Sequence, residues 1–159
     1  MAGEFAVLSQ LALRGYDANM TLGNTKSIDI LVADPRTDQM FKIEVKTHYR
    51  NASTHSELFG HTLGWVMSEK HESIKDPNLF YVFVNIANET GDFRYFIVPS
   101  SIVSNYVREQ HEYWLKSREN ENNEPTPIRR FRLGLDDQGY AISTPLAKDY
   151  ENNWVFNVE

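Results

Sequence analysis

Residues 27–32 (Ser27-Ile28-Asp29-Ile30-Leu31-Val32) and 41–46 (Phe41-Lys42-Ile43-Glu44-Val45-Lys46) are two alternating runs. Between them lies Asp34-Pro35-Arg36-Thr37-Asp38-Gln39, rich in turn-forming residues. The runs read as one hairpin, and its register can be argued from the apolar positions. When paired residue numbers sum to 73, Ile28 faces Val45, Ile30 faces Ile43 and Val32 faces Phe41. A slide of one pair either way sets Val32 against Gln39, or Asp34 against Phe41 and Ile28 against Thr47. A buried face selects the register that matches it. The choice leaves a four-residue loop, Pro35 to Asp38, a common hairpin length.

On the other face that register sets Asp29 against Glu44, with Lys46 beside them. Like charges across a strand pair destabilise it. At ~5 Å and an effective dielectric of ~20, the repulsion is on the order of 3 kcal/mol, less where water screens it. A divalent cation between the carboxylates would turn that liability into a site. Magnesium takes oxygen ligands, using one or two carboxylates plus substrate phosphates.

The chain has 159 residues, enough for one domain with its own core, with 41% hydrophobic and 13% aromatic residues. With no cysteine, disulfides and thiolate metal sites are excluded. No apolar run has membrane length and the N-terminus lacks a signal-peptide pattern, so a soluble cytoplasmic protein with no membrane partner is the expectation. The net charge of −6 argues against indiscriminate nucleic-acid binding. The acid is unevenly placed, however. Residues 1–75 carry eight Lys/Arg against nine Asp/Glu, whereas 76–159 carry eight against thirteen.

Along the chain, 3–14 read as a helix with Phe5, Leu8, Leu11 and Ala12 at helical spacing, stopped by Gly15. Ala18–Leu22 reads as a short strand before a turn at Gly23-Asn24-Thr25, and the hairpin follows. Residues 47–57 are polar and non-periodic, so a loop is expected. From 57 to 74, Phe59, Leu63, Val66, Met67 and Ile74 fit one helix face. Leu79–Ile86 reads as a buried strand and Phe93–Val98 as another. A helix from Ser100 or Ser101 runs to about Ser117. Residues 119–127 read as a linker, 131–142 as a small hairpin, and Trp154 and Phe156 as packing back onto the domain. This order suits a central mixed sheet covered by helices.

Asp29, Glu44-Val45-Lys46 on a hairpin, and Glu4 in the first helix together resemble the PD-(D/E)XK nucleases. The likeness is to their restriction-endonuclease-like and Holliday-junction-resolvase-like branch, over residues 3–100. Ile28 stands where the proline that names the motif would be. The resemblance implies a three-layer α/β/α sandwich with a central mixed sheet, and hydrolysis of DNA phosphodiesters with Mg²⁺ or Mn²⁺ by a homodimer. It makes Asp29 and Glu44 metal ligands, the Val45 carbonyl a third, and Glu4 the helix acid that reaches the metal. Lys46, beside two carboxylates, suits electrostatic stabilisation better than the role of free base. On this view 1–159 form one nuclease-like domain, with a core over about 3–118 and a C-terminal extension over about 119–159.

Simpler readings stand beside these. Lys42, Glu44 and Lys46 also suit an exposed strand that merely keeps a sheet soluble. Glu4 also suits the dipole of a first helical turn. The five histidines show no paired ligand spacing. Arg129-Arg130-Phe131-Arg132 is the one compact basic-aromatic cluster, a nucleic-acid contact or a charge-balancing strand. Two alternative functions remain open. One is a nuclease-fold DNA-binding or scaffolding protein without turnover, and the other a metal-dependent phosphodiesterase acting on RNA or a small nucleotide.

Overall fold

The computed structural model describes residues 1–21, 28–50, 52–117 and 126–156. Helix α1 spans Ala2–Leu13, followed by strands β1 (Asp17–Met20), β2 (Ile30–Asp34), β3 (Gln39–Tyr49), β4 (Thr54–Ser56) and β5 (Gly60–Ser68). A 3₁₀ turn (Glu69–Glu72) leads to β6 (Leu79–Ile86), β7 (Phe93–Pro99), α2 (Ser100–Ser117), β8 (Ile128–Gly134) and the single-turn α3 (Ala147–Tyr150). The central sheet has the order β1-β2-β3-β6-β7, and a second sheet the order β4-β5-β8. All pairs in the central sheet are antiparallel except β3 with β6, so this is a mixed sheet.

The hairpin register is the one the apolar face selects: Ile30 pairs with Ile43 and Val32 with Phe41. One core lies on that face, where Val7 and Leu11 of α1 meet Ile30, Val32, Phe41, Ile43 and Val45, joined by Trp154 and Phe156 from the C-terminal segment. The other face of β6 carries a second core, in which Tyr81 and Phe83 pack against Leu63, Trp65 and Met67 of β5, Phe131 of β8 and Val103 and Val107 of α2. Every residue of β6 is buried, since both of its faces are covered. That explains the nearly unbroken apolar run.

Several expectations are corrected. The segment 57–74 is not a helix: Leu63, Trp65 and Met67 are buried while Val66 is 63% exposed, the alternation of a strand. Two glycines, Gly60 and Gly64, already weigh against a helix there. What decides the matter is β8, which pairs with β5 from Thr62–Gly134 to Ser68–Ile128. Residues 47–57 are not one loop, because β3 continues through Tyr49 alongside β6 and β4 follows. No strand forms at Tyr140-Ala141-Ile142, so 131–142 is not a hairpin; residues 128–134 instead pair with β5. The predicted turn at Gly23–Thr25 lies outside the described residues, as does 119–125 of the expected linker.

Helix α1 also presents a different face from the one expected. Gly3, Val7 and Leu11 are buried, whereas Phe5 is 55% exposed. The i, i+4 stripe begins with a glycine, which an apolar pattern cannot reveal. Gly3 lets the helix start lie directly on β3: a Cβ there would stand 1.9 Å from Thr47 Oγ1. Gly3→Ala is therefore expected to destabilise the protein. An overpacking cost of about 1–3 kcal/mol outweighs a helix-propensity gain of about 1 kcal/mol. Adding Thr47→Ala should recover part of the loss in urea unfolding; a Gly3→Ala protein as stable as the parent would mean the helix can stand off the sheet.

Candidate active site

β3 carries three of the predicted residues, Glu44, Val45 and Lys46, and its two faces enter different environments. Phe41, Ile43 and Val45 enter the α1-side core. Residues 42, 44, 46 and 48 alternate onto the opposite side. Glu44, only 3% exposed, is buried there. Its Oε1 takes Lys46 Nζ at 2.6 Å and His71 Nε2 at 3.2 Å. Its Oε2 is buried with no hydrogen-bond partner among the described residues. Burial alone would raise the Glu44 pKa, but the bonds from His71 and Lys46 outweigh it and hold the carboxylate below its usual range. The hydroxyl of Tyr81, the register partner of Glu44 on β6, is pushed up by burial and by the Glu44 charge.

Asp29 does not face Glu44 within the ladder, as the regular hairpin predicts. Strand β2 begins at Ile30, and at Asp29 the chain bends. The Asp29 N–H still donates to the Ile43 carbonyl at 2.8 Å, while its own carbonyl accepts from Thr21 N–H at 2.9 Å. With β2 turned away, the Val45 amide lacks a carbonyl partner on that side, and the Asp29 carboxylate accepts it at 2.6 Å. Burial raises the Asp29 pKa; the Val45 bond opposes this, and the charges of Glu44 and Glu4 add to the rise. The two other acids of the proposed site thus both act on Asp29. Glu4 also pairs with the Met1 ammonium.

The two principal carboxylates are perturbed in opposite directions, a pattern common at functional sites. Among the described residues, no group of three or more His, Asp or Glu side chains forms a metal-holding cluster. Magnesium does not need one: one or two carboxylates suffice, with water and substrate phosphate filling the other positions. The free Glu44 Oε2 and the ill-accommodated charge on Asp29 fit such an ion. The Val45 carbonyl faces the same flank as its amide, as extended backbone requires.

His71 was missed by sequence reasoning. No ligand spacing marks it, and its partner Glu44 is 27 residues away. The one local signal is the Ser68–His71 pair, which closes a capping box around the 3₁₀ turn. His48 is not aimed at the carboxylates; its Nδ1 lies 3.0 Å from the Gly64 carbonyl of β5. Lys46, Thr47, His48, Trp65 and Val66 line a shallow groove beside the site. The arginine cluster divides: Arg129 is buried in an ion pair with Glu72, Arg130 is exposed over Gly64, and Arg132 lies 4.0 Å from the Phe59 ring centroid.

No family model matches the chain, and no curated protein matches it. Among solved structures, it is similar to a bacterial homing endonuclease, I-Ssp6803I, with 16% sequence identity and a TM-score of 0.51 over 96% of this chain and 86% of that one. At that identity the likeness establishes a shared mixed α/β fold. Among the described residues, no helix is long and apolar enough to cross a membrane.

The raised Asp29 pKa has a consequence for stability. In the metal-free protein the folded state binds a proton at Asp29 more readily than the unfolded chain does, so this residue's contribution falls as pH rises above the ordinary aspartate value of about 3.9. Asp29→Asn keeps an acceptor for Val45 N–H and removes the charge. It is expected to unfold at higher urea than the parent at pH 7 in EDTA, with the difference vanishing below about pH 4. A clear loss of stability at pH 7 would instead make Asp29 a structural anchor.

Proposed function

We propose that this chain is a divalent-metal-dependent endonuclease that hydrolyses phosphodiester bonds in DNA at the Asp29–Glu44–Lys46 site. The observation that carries this is the state of Glu44, which is buried and held ionised, with one oxygen committed to His71 and Lys46 and the other unpartnered. Asp29 brings a second carboxylate that burial and neighbouring acids disfavour as an anion. The fold likeness to a homing endonuclease supports the reading.

Asp29 and Glu44 would hold Mg²⁺ or Mn²⁺ with the Val45 carbonyl, and Glu4 would add charge from the helix. When bound, the ion would polarise a phosphate oxygen and acidify a coordinated water. Hydrolysis adds the water oxygen to phosphorus and breaks the bond to a sugar oxygen, which leaves with a proton. Lys46 is tied to Glu44 yet its side chain is 26% exposed, so its ammonium reaches the open side of the site. Its work is to offset the negative charge gathering on the phosphate oxygens. The groove leads from Lys46 past His48 to Val66, which pairs with Arg130 across the β5–β8 ladder. Arg130 and Arg132 are the proposed contacts to the phosphate backbone, setting register rather than sequence.

The net charge of −6 favours a second reading, a nuclease-fold DNA-binding or scaffolding protein without turnover. Incubation with supercoiled, branched and single-stranded DNA plus Mg²⁺ or Mn²⁺ separates the two. Cleavage that EDTA stops and that Lys46→Ala lowers by about 10²–10³-fold is expected. DNA binding without any metal-dependent cleavage would leave the second reading. Replacing both Arg130 and Arg132 with Ala should weaken DNA binding and reduce the slope of log affinity against log salt by about 2. An unchanged slope would remove them from the DNA interface.

A further inference from the structure

We propose that His71 is a positioning residue for Glu44, holding its carboxylate so that Oε2 alone is left to a cation. This rests on the metal-dependent endonuclease reading and adds to it a residue outside the acid-and-lysine motif. A glutamate has three side-chain torsions, and a buried carboxylate with one fixed donor can still swing or exchange its oxygens. Two donors approaching Oε1 from different elements remove that freedom. Lys46 comes from the same strand, and His71, itself 2% exposed, comes from the 3₁₀ turn. A carboxylate can only accept, so the Nε2 of His71 carries the proton.

The imidazole is in turn fixed from behind. Its Nδ1 lies 3.1 Å from Ser68 N, 3.1 Å from Ser68 Oγ and 2.9 Å from Ser68 O. The turn that carries it is anchored at three points. Ser104 Oγ of α2 donates to the Glu72 carbonyl at 2.6 Å, Arg129 of β8 pairs with the Glu72 carboxylate, and Glu69 N–H donates to the Pro127 carbonyl at 2.9 Å. The second sheet and α2 are thus mechanically connected to the metal ligand. Outer partners of this kind are costly to lose: their removal lowers metal affinity by about 10–100-fold.

A purely packing role for His71, whose ring also meets that of Tyr81 edge-on at 5.8 Å, is separated by the choice of variant. His71→Phe keeps volume and loses the donor, while His71→Gln keeps an N–H at comparable reach. Mn²⁺ binding to the full chain, followed by titration calorimetry, is expected to weaken by about 10–100-fold in His71→Phe and to be largely restored in His71→Gln. His71→Phe binding Mn²⁺ as tightly as the parent, or His71→Gln no better than a folded His71→Phe, would overturn the proposal. If His71→Phe does not fold, the metal-free parent decides by proton NMR: the Nε2–H bonded to Glu44 should give a downfield, slowly exchanging signal, lost in His71→Gln and shifted in Glu44→Gln. Absence of that signal from the parent overturns the proposal too. A parent that binds no Mn²⁺ in an Asp29-dependent way fails at an earlier step, and the endonuclease reading falls with it.

Discussion

A carboxylate carried into a protein interior must be met by donors there, and Glu44 sets this requirement for the surrounding structure. Its place on β3 is decided by the apolar residues on either side of it, Ile43 and Val45, which must enter the α1-side core. Strand alternation then drives Glu44 into the opposite side, against Tyr81 of β6. Solvent cannot satisfy it there. Lys46 and His71 meet one of its two oxygens, Oε1, and their hydrogen bonds more than offset the unfavourable effect of burial on the charge.

Asp29 shows the converse. Its carboxylate stands in for a strand carbonyl toward Val45, a role that a neutral side chain could also perform. Burial and two neighbouring acids make its charge unwelcome. Lys46 offsets those two acids only in part. The two carboxylates are thus perturbed in opposite directions, Glu44 held ionised by its donors and Asp29 pushed toward protonation by burial and its acidic neighbours.

Much of this was legible in the chain. Alternation and turn chemistry give the hairpin, and the demand for an apolar face gives its register, because a slip of one residue would turn the whole set to the wrong side. The buried run of β6 and the long α2 are visible for the same reason: each carries its periodicity within its own residues. The misread segment at 57–74 has a different cause. Leu63 and Met67 fit a helical stripe as well as an alternating one, and Trp65 and the glycines were too few local signs to decide. The partner strand β8 begins 60 residues after the end of β5. Gly3 escaped notice because its contribution is the side chain it lacks.

The sequence by itself determined the hairpin and the placing of Glu44 and Lys46 on one face of β3, since these follow from short-range periodicity and the burial of neighbouring residues. Only the tertiary structure decided that β2 leaves the ladder at Asp29, handing the Val45 amide to a carboxylate. It alone brought His71 to Glu44, through a turn held by α2 and β8. The physical reason is range: alternation acts over two residues, whereas the donors of a buried acid can come from any segment that packing delivers.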